Sequence, residues 1–109
     1  MTEITLFRKN GRAVGFMAQG HTGYADEGSD IVCAALSALT QAAVIGLNEV
    51  IGLQTALEIE DGYIYCMLPK AVSEKAWHDA ELILNTLALS LSSIAETNGD
   101  YLKLTDREV

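Results

Sequence analysis

A length of 109 residues suits one domain with a single core of modest size. Half of the residues are apolar and only one is proline, a composition that argues for a compact globular chain rather than a disordered one. Seven basic residues against 15 acidic ones leave a net charge of −8, which repels phosphate backbones, argues against direct nucleic-acid binding and favours a basic partner.

The start, Met-Thr-Glu-Ile-Thr, lacks the basic and apolar regions of a signal peptide, and no long apolar run is flanked as a membrane span would be. The expected location is therefore the cytoplasm, with no membrane involvement. There the two cysteines are expected to be reduced, and no Cys-x-x-Cys pair points to zinc or to redox exchange.

Residues 3–8 and 12–19 read as strands around Asn10-Gly11, the favoured centre of a type I′ hairpin turn. A plain two-residue register pairs Phe7 with Val14 and Thr5 with Phe16 on one face. It pairs Leu6 with Gly15 and Ile4 with Met17 on the other. Apolar residues on both faces predict a hairpin covered, at least in part, on both sides.

After a loop, Ser29 or Asp30 is placed to cap a helix that runs to about Val50, with Gly52 as its C′ residue. No charged residue occurs from Ile31 through Asn48. A helix apolar all round is a buried helix, so this one is expected to be the central element. Alanines 34, 35, 38, 42 and 43 would let neighbours approach it closely. With Asp30 as N-cap, Cys33 takes the third helical position, and Ser37 and Thr40 follow on its face.

A second hairpin, residues 53–60 and 63–68 around Asp61-Gly62, sets Leu57 opposite Cys66 and Ile59 opposite Ile64. Glu58 then faces Tyr65 and Glu60 faces Tyr63 on the wetter side. Cys66 reads as a small buried hydrophobe. Beyond Pro69, Ser73 is placed to cap a helix that Asn98-Gly99 ends. Ala80, Ile83, Leu84, Leu87, Leu91 and Ile94 form its apolar stripe, while Leu82 and Leu89 lie off it as an edge for a partner. Residues 101–105 make a last strand. The order ββα-ββα-β is that of a single α+β domain with two helices against a mostly antiparallel sheet.

The chemistry concentrates between Gly20 and Ala35. Gly20, Gly23 and Gly28 let the loop bend back so that His21 and Cys33, one of two histidines and one of two cysteines, meet at a helix N-terminus. The positive end of the helix dipole and a neighbouring imidazolium both favour thiolate, and such settings bring cysteine pKa values to about 3.5–7.5. First-turn N–H groups have no intrahelical partner and could hold an oxyanion. Asp26, Glu27 and Asp30 oppose ionisation of the thiol. Asp30 is either the N-cap or a group that orients His21. His78 reads as a surface histidine, and no pattern of residues calls for a metal or a cofactor. Three readings stay open on these residues: a thiol enzyme, a binding module using the same groove, and a thiol sensor or acyltransferase using Cys33.

The motif Gly20-His21-x-Gly23-Tyr24-Ala25, followed by Gly28-x-Asp30-Ile31-Val32-Cys33-Ala34-Ala35 and Ser37, resembles the ribosomal-processing cysteine protease family, Prp. The stretches Glu81–Leu87 and Leu89-Ser90-Leu91 are similar to that family's second helix. The resemblance implies a homodimeric α/β fold and a cysteine endopeptidase that removes a short N-terminal extension from a large-subunit ribosomal protein. It further implies that Cys33 is the nucleophile and His21 its partner, with the loop carrying Gly23, Tyr24 and Gly28 opening to admit the peptide. A basic ribosomal protein as substrate agrees with the acidic charge.

Overall fold

In a computed structural model the described residues are 1–20 and 31–109. The chain forms β1 (Thr2–Lys9), β2 (Arg12–Gln19), α1 (Ile31–Ile45) with a π-helical turn (Gly46–Val50), β3 (Ala56–Glu60), β4 (Tyr63–Met67), α2 (Glu74–Asn98) and β5 (Leu102–Glu108). The strands make one sheet in the order β3-β4-β2-β1-β5. Three pairings are antiparallel, and β5 joins β1 in parallel, so the sheet is mixed and mostly antiparallel as expected.

Asn10 and Gly11 both have positive φ, 53° and 78°, which is what a type I′ turn requires. The pairs nearest the turn, Lys9 with Arg12 and Arg8 with Ala13, follow the expected register. A bulge at Phe7/Arg8 then shifts it by one, so Leu6 meets Phe16, Phe7 meets Gly15, and Ile4 meets Ala18. The expected Phe7–Val14, Thr5–Phe16, Leu6–Gly15 and Ile4–Met17 pairs are thereby replaced. The physical reason is face selection. The extra residue on β2 brings Phe16 onto the same face as Ile4 and Leu6, and all three are buried.

Helices lie on one face of the sheet only. On the other, no helix is present among the described residues, and Phe7 is shielded instead by Tyr65, their ring centroids 5.9 Å apart. The β3–β4 register is the expected one, Leu57 opposite Cys66 and Ile59 opposite Ile64.

α2 begins where its sequence says, with the Ser73 hydroxyl accepting from the Ala76 N–H at 3.1 Å. It buries Ala80, Leu84, Leu87 and Leu91 and leaves Leu82 and Leu89 58% and 73% exposed. Its first turns are tied to the first hairpin. The Arg12 guanidinium lies 3.8 Å from the Trp77 ring centroid and donates to Glu81 and Glu74, and Trp77 Nε1 donates to the Ala13 carbonyl at 2.9 Å.

α1 departs from expectation. An 18-residue window within Ile31–Val50 has a mean hydropathy of 1.7, yet only Val32, Leu36, Thr40, Ala43 and Leu47 are buried there. Ile45 is 51% and Val50 78% exposed, so α1 is a flanking helix rather than the central one. Of its alanines only Ala43 is buried; Ala34, Ala38 and Ala42 face away from the core. One packed stripe suffices to dock a helix, whatever the composition of its back. Its last turn widens into a π-helix, closed by Leu53 N–H on the Leu47 carbonyl at 2.9 Å, and Gly52 supplies the positive φ of 86°.

Candidate active site

The site is framed by Gly20 at the end of β2 and by the first turns of α1. Gly20 has φ +93°, and a Cβ there would fall 2.6 Å from the Met1 carbonyl oxygen, so no other residue fits without displacing backbone. Its N–H donates to the Gly62 carbonyl at 2.8 Å, which binds the start of the loop to the β3–β4 turn. His21, Gly23, Tyr24, Gly28 and Asp30, with the alternative cap Ser29, lie outside the described residues.

Eleven residues on, the chain enters α1 at Ile31, and Cys33 stands half-exposed in the first turn. Helical spacing carries Leu36, Ser37, Thr40 and Gln41 along the same side. All five residues line a cavity of about 280 Å³. Opposite them stand Ala18 and Ile64 from the sheet and the turn from Ile59 to Tyr63. Ser37 and Thr40 thus share a surface with Cys33, as the spacing implied. Thr40 spends its hydroxyl on the Leu36 carbonyl at 2.9 Å, while Gln41 Nε2 donates to Ser37 Oγ at 2.7 Å. The cavity therefore has an apolar floor, from Ala18, Leu36 and Ile64, and a polar rim of hydroxyl, amide and carboxylate groups. A peptide needs such a surface, since its side chains want an apolar seat and its backbone wants hydrogen bonds.

The two thiols sit in opposite settings. Cys66 on β4 is fully buried between Phe16 and Leu57 in the sheet registers. Burial pushes its thiol up from the ordinary value, so Cys66 stays protonated and inert. Cys33 is the thiol that opens onto the cavity. The first N–H groups of α1 have no partner within the helix and lie on the same turn. His78 is exposed on α2, as expected. Among the described residues no three His, Cys, Asp or Glu side chains gather as a metal ion would need.

Sequence reasoning did not find Gln41 or the Glu60–Tyr63 turn as part of this cavity. For the turn no local signal exists, because only the packing of α1 over β4 brings residues so distant in sequence to one opening.

Over residues 1–103 the chain matches the family described as cysteine protease Prp. The chain belongs to this family. It is thus a cysteine protease. The ribosomal processing cysteine protease Prp of Bacillus subtilis (strain 168) is 29% identical to it over 108 residues, 96% of each chain. Two crystal structures of the essential ribosomal processing protease Prp from S. aureus share its fold. The complex with a covalently linked product peptide has a TM-score of 0.86 at 23% identity, covering 98% of this chain and 100% of that one. The complex with a substrate peptide has a TM-score of 0.81 at 22% identity, with the same coverage.

Proposed function

We propose that this cysteine protease is an endopeptidase that removes a short N-terminal extension from a large-subunit ribosomal protein, a step that supports ribosome assembly. The observation that carries the reading is the half-exposed Cys33 thiol at the first turn of α1, opening onto an apolar-floored cavity, while the second thiol is buried. The Bacillus subtilis relative's name as a ribosomal processing protease supports the substrate class. So does the net charge of −8, since ribosomal proteins are basic.

In the reaction Cys33 thiolate adds to the scissile carbonyl carbon, and the carbonyl electron pair moves onto oxygen, where first-turn N–H groups stabilise it. Collapse expels the amine, which takes its proton from the His21 imidazolium and leaves a thioester on Cys33. Water then adds to the thioester with His21 as base. Collapse of that second adduct releases the carboxylic acid and returns the thiol to its starting state. Asp30 caps α1 or orients His21, and the loop with Gly20, Gly23, Tyr24 and Gly28 receives the peptide. No metal and no organic cofactor enters this scheme.

The working form in this reading is a cytoplasmic homodimer that binds neither nucleic acid nor membrane directly. The exposed apolar backs of α1 and α2, with Leu82 and Leu89, support the dimer; between the helices a groove is lined by Leu39, Ala42, Gly46, Leu82 and Ile83 among others. The test is to incubate the protein with a ribosomal protein carrying its N-terminal extension and to read the products by mass spectrometry. A single new N-terminus, absent with Cys33→Ala, is expected; an intact substrate overturns the reading. Light scattering that finds only monomer overturns the dimer.

A further inference from the structure

The sheet has two edges, and they are finished differently. β5 carries Lys103, Asp106, Arg107 and Glu108, charges of both signs, and Asp106 is paired with Arg8 at 3.2 Å. Charged and ion-paired, that edge is protected against further strands. β3 at the other edge reads Ala-Leu-Glu-Ile-Glu and is exposed at every position. Its side away from β4 has no neighbouring strand among the described residues. Leu57 and Ile59 are exposed on the helix side, Ile59 to 59%, and Glu58 and Glu60 project from the other. β3 and β4 contain no basic residue to balance those carboxylates.

This edge runs into the site. Ile59, Glu60, Asp61 and Gly62 belong to the wall of the cavity onto which Cys33 opens. The strand is also held firm at its start, where Thr55 donates both its N–H and its hydroxyl to Asn48 Oδ1, at 3.2 and 2.8 Å. Tyr63 lies on the same open face as Glu58 and Glu60, and burial, followed by the Glu58 charge, pushes its hydroxyl's pKa up. An anchored strand with an open outer edge and charge of one sign only, leading to the cavity thiol, is a template for an extended chain of the opposite charge.

We propose that a basic segment of the substrate, adjoining the scissile bond, adds to β3 as a sixth strand. Its backbone pairs with the outer edge of Ala56–Glu60, and alternate lysine or arginine side chains lie over Glu58 and Glu60. The residues between them rest on Leu57 and Ile59. This rests on the proteolytic reading above and adds the way in which substrate is chosen. Charge complementarity selects the occupant. A second copy added antiparallel to the same edge would set Glu58 and Glu60 against their own counterparts, whereas a basic strand neutralises both.

The experiment measures binding of a fluorescent peptide to the Cys33→Ala protein by anisotropy, so it does not depend on turnover. One peptide carries the cleavage sequence with an adjoining arm of alternating lysines, a second has glutamates in their place, and a third is N-methylated at alternate amides of the lysine arm. The lysine arm should bind best, and glutamate substitution should weaken it about fivefold, as exposed charge pairs do. N-methylation in the pairing register should weaken it about tenfold through lost backbone bonds. Glu58→Lys should reverse the order of the lysine and glutamate arms. Amide hydrogen exchange in Ala56–Glu60 should slow when the lysine arm binds. Equal binding of all three peptides, no reversal with Glu58→Lys, or association of the free protein through β3 would overturn the proposal. Cleavage of the ribosomal protein by the unaltered enzyme is read separately, and its failure counts against the proteolytic reading alone.

Discussion

α2 buries a continuous stripe from Ala80 to Leu91 and is pinned to the first hairpin by Arg12 and Trp77. α1 is the more apolar helix, yet it leaves Ile45 and Val50 in solvent and carries the thiol that opens onto the cavity. Holding the fold and presenting a thiol to the cavity are thus divided between two helices of one small core. The difference teaches that the depth of a helix is decided by what packs on it, and that a helix needs only one buried stripe to be held while another of its faces lines a cavity.

The division predicts effects of very different kinds. Cys33→Ala should abolish cleavage of a substrate peptide while leaving the thermal midpoint nearly unmoved, because alanine suits a first helical turn. Activity that survives, or a collapse of stability, would break the comparison on the α1 side. Leu84→Ala, at a fully buried position of α2, should cost about 2–5 kcal/mol in denaturant unfolding, through lost transfer energy and the cavity left behind. A smaller loss would mean that α2 is not the anchor.

Cys66→Ala sharpens the contrast between the thiols. It should keep activity and cost on the order of 1 kcal/mol, since a small buried group is removed. Iodoacetamide at neutral pH should correspondingly label Cys33 ahead of Cys66.

The smallest effect concerns pH. A hydrogen bond with Arg12 holds the Glu74 carboxyl below its ordinary value. A depressed folded-state pKa adds stability above the unfolded value, and that stability is lost as pH falls through the folded one. Glu74→Gln should therefore flatten the decline of the thermal midpoint below about pH 4.3, the ordinary glutamate value, and change little at neutral pH. An unaltered acid limb would show that Arg12 is satisfied by Glu81 alone.

What the sequence by itself determined was mostly local. Asn10-Gly11 specified its turn because two consecutive positive φ angles suit few other residue pairs. Ser73 specified the start of α2 because its hydroxyl reaches an N–H three residues on. The alternation of Leu57, Ile59, Ile64 and Cys66 set the second hairpin's register, and helical spacing placed Cys33, Ser37 and Thr40 on one surface. The roles of His21, Cys33 and Asp30 were likewise a reading of sequence, and they stand as part of the proposed mechanism.

Tertiary structure alone decided the rest. It placed the bulge at Phe7/Arg8, because putting Phe16 on the buried face outweighed a regular ladder. It decided the parallel pairing of β5 with β1 and the half-exposure of α1, because hydropathy records what a segment can bury and not how much area its neighbours offer. It also decided the joining of the Glu60–Tyr63 turn to the thiol's cavity. That last contact links residues about thirty apart in the chain, and no period of two or of 3.6 extends so far.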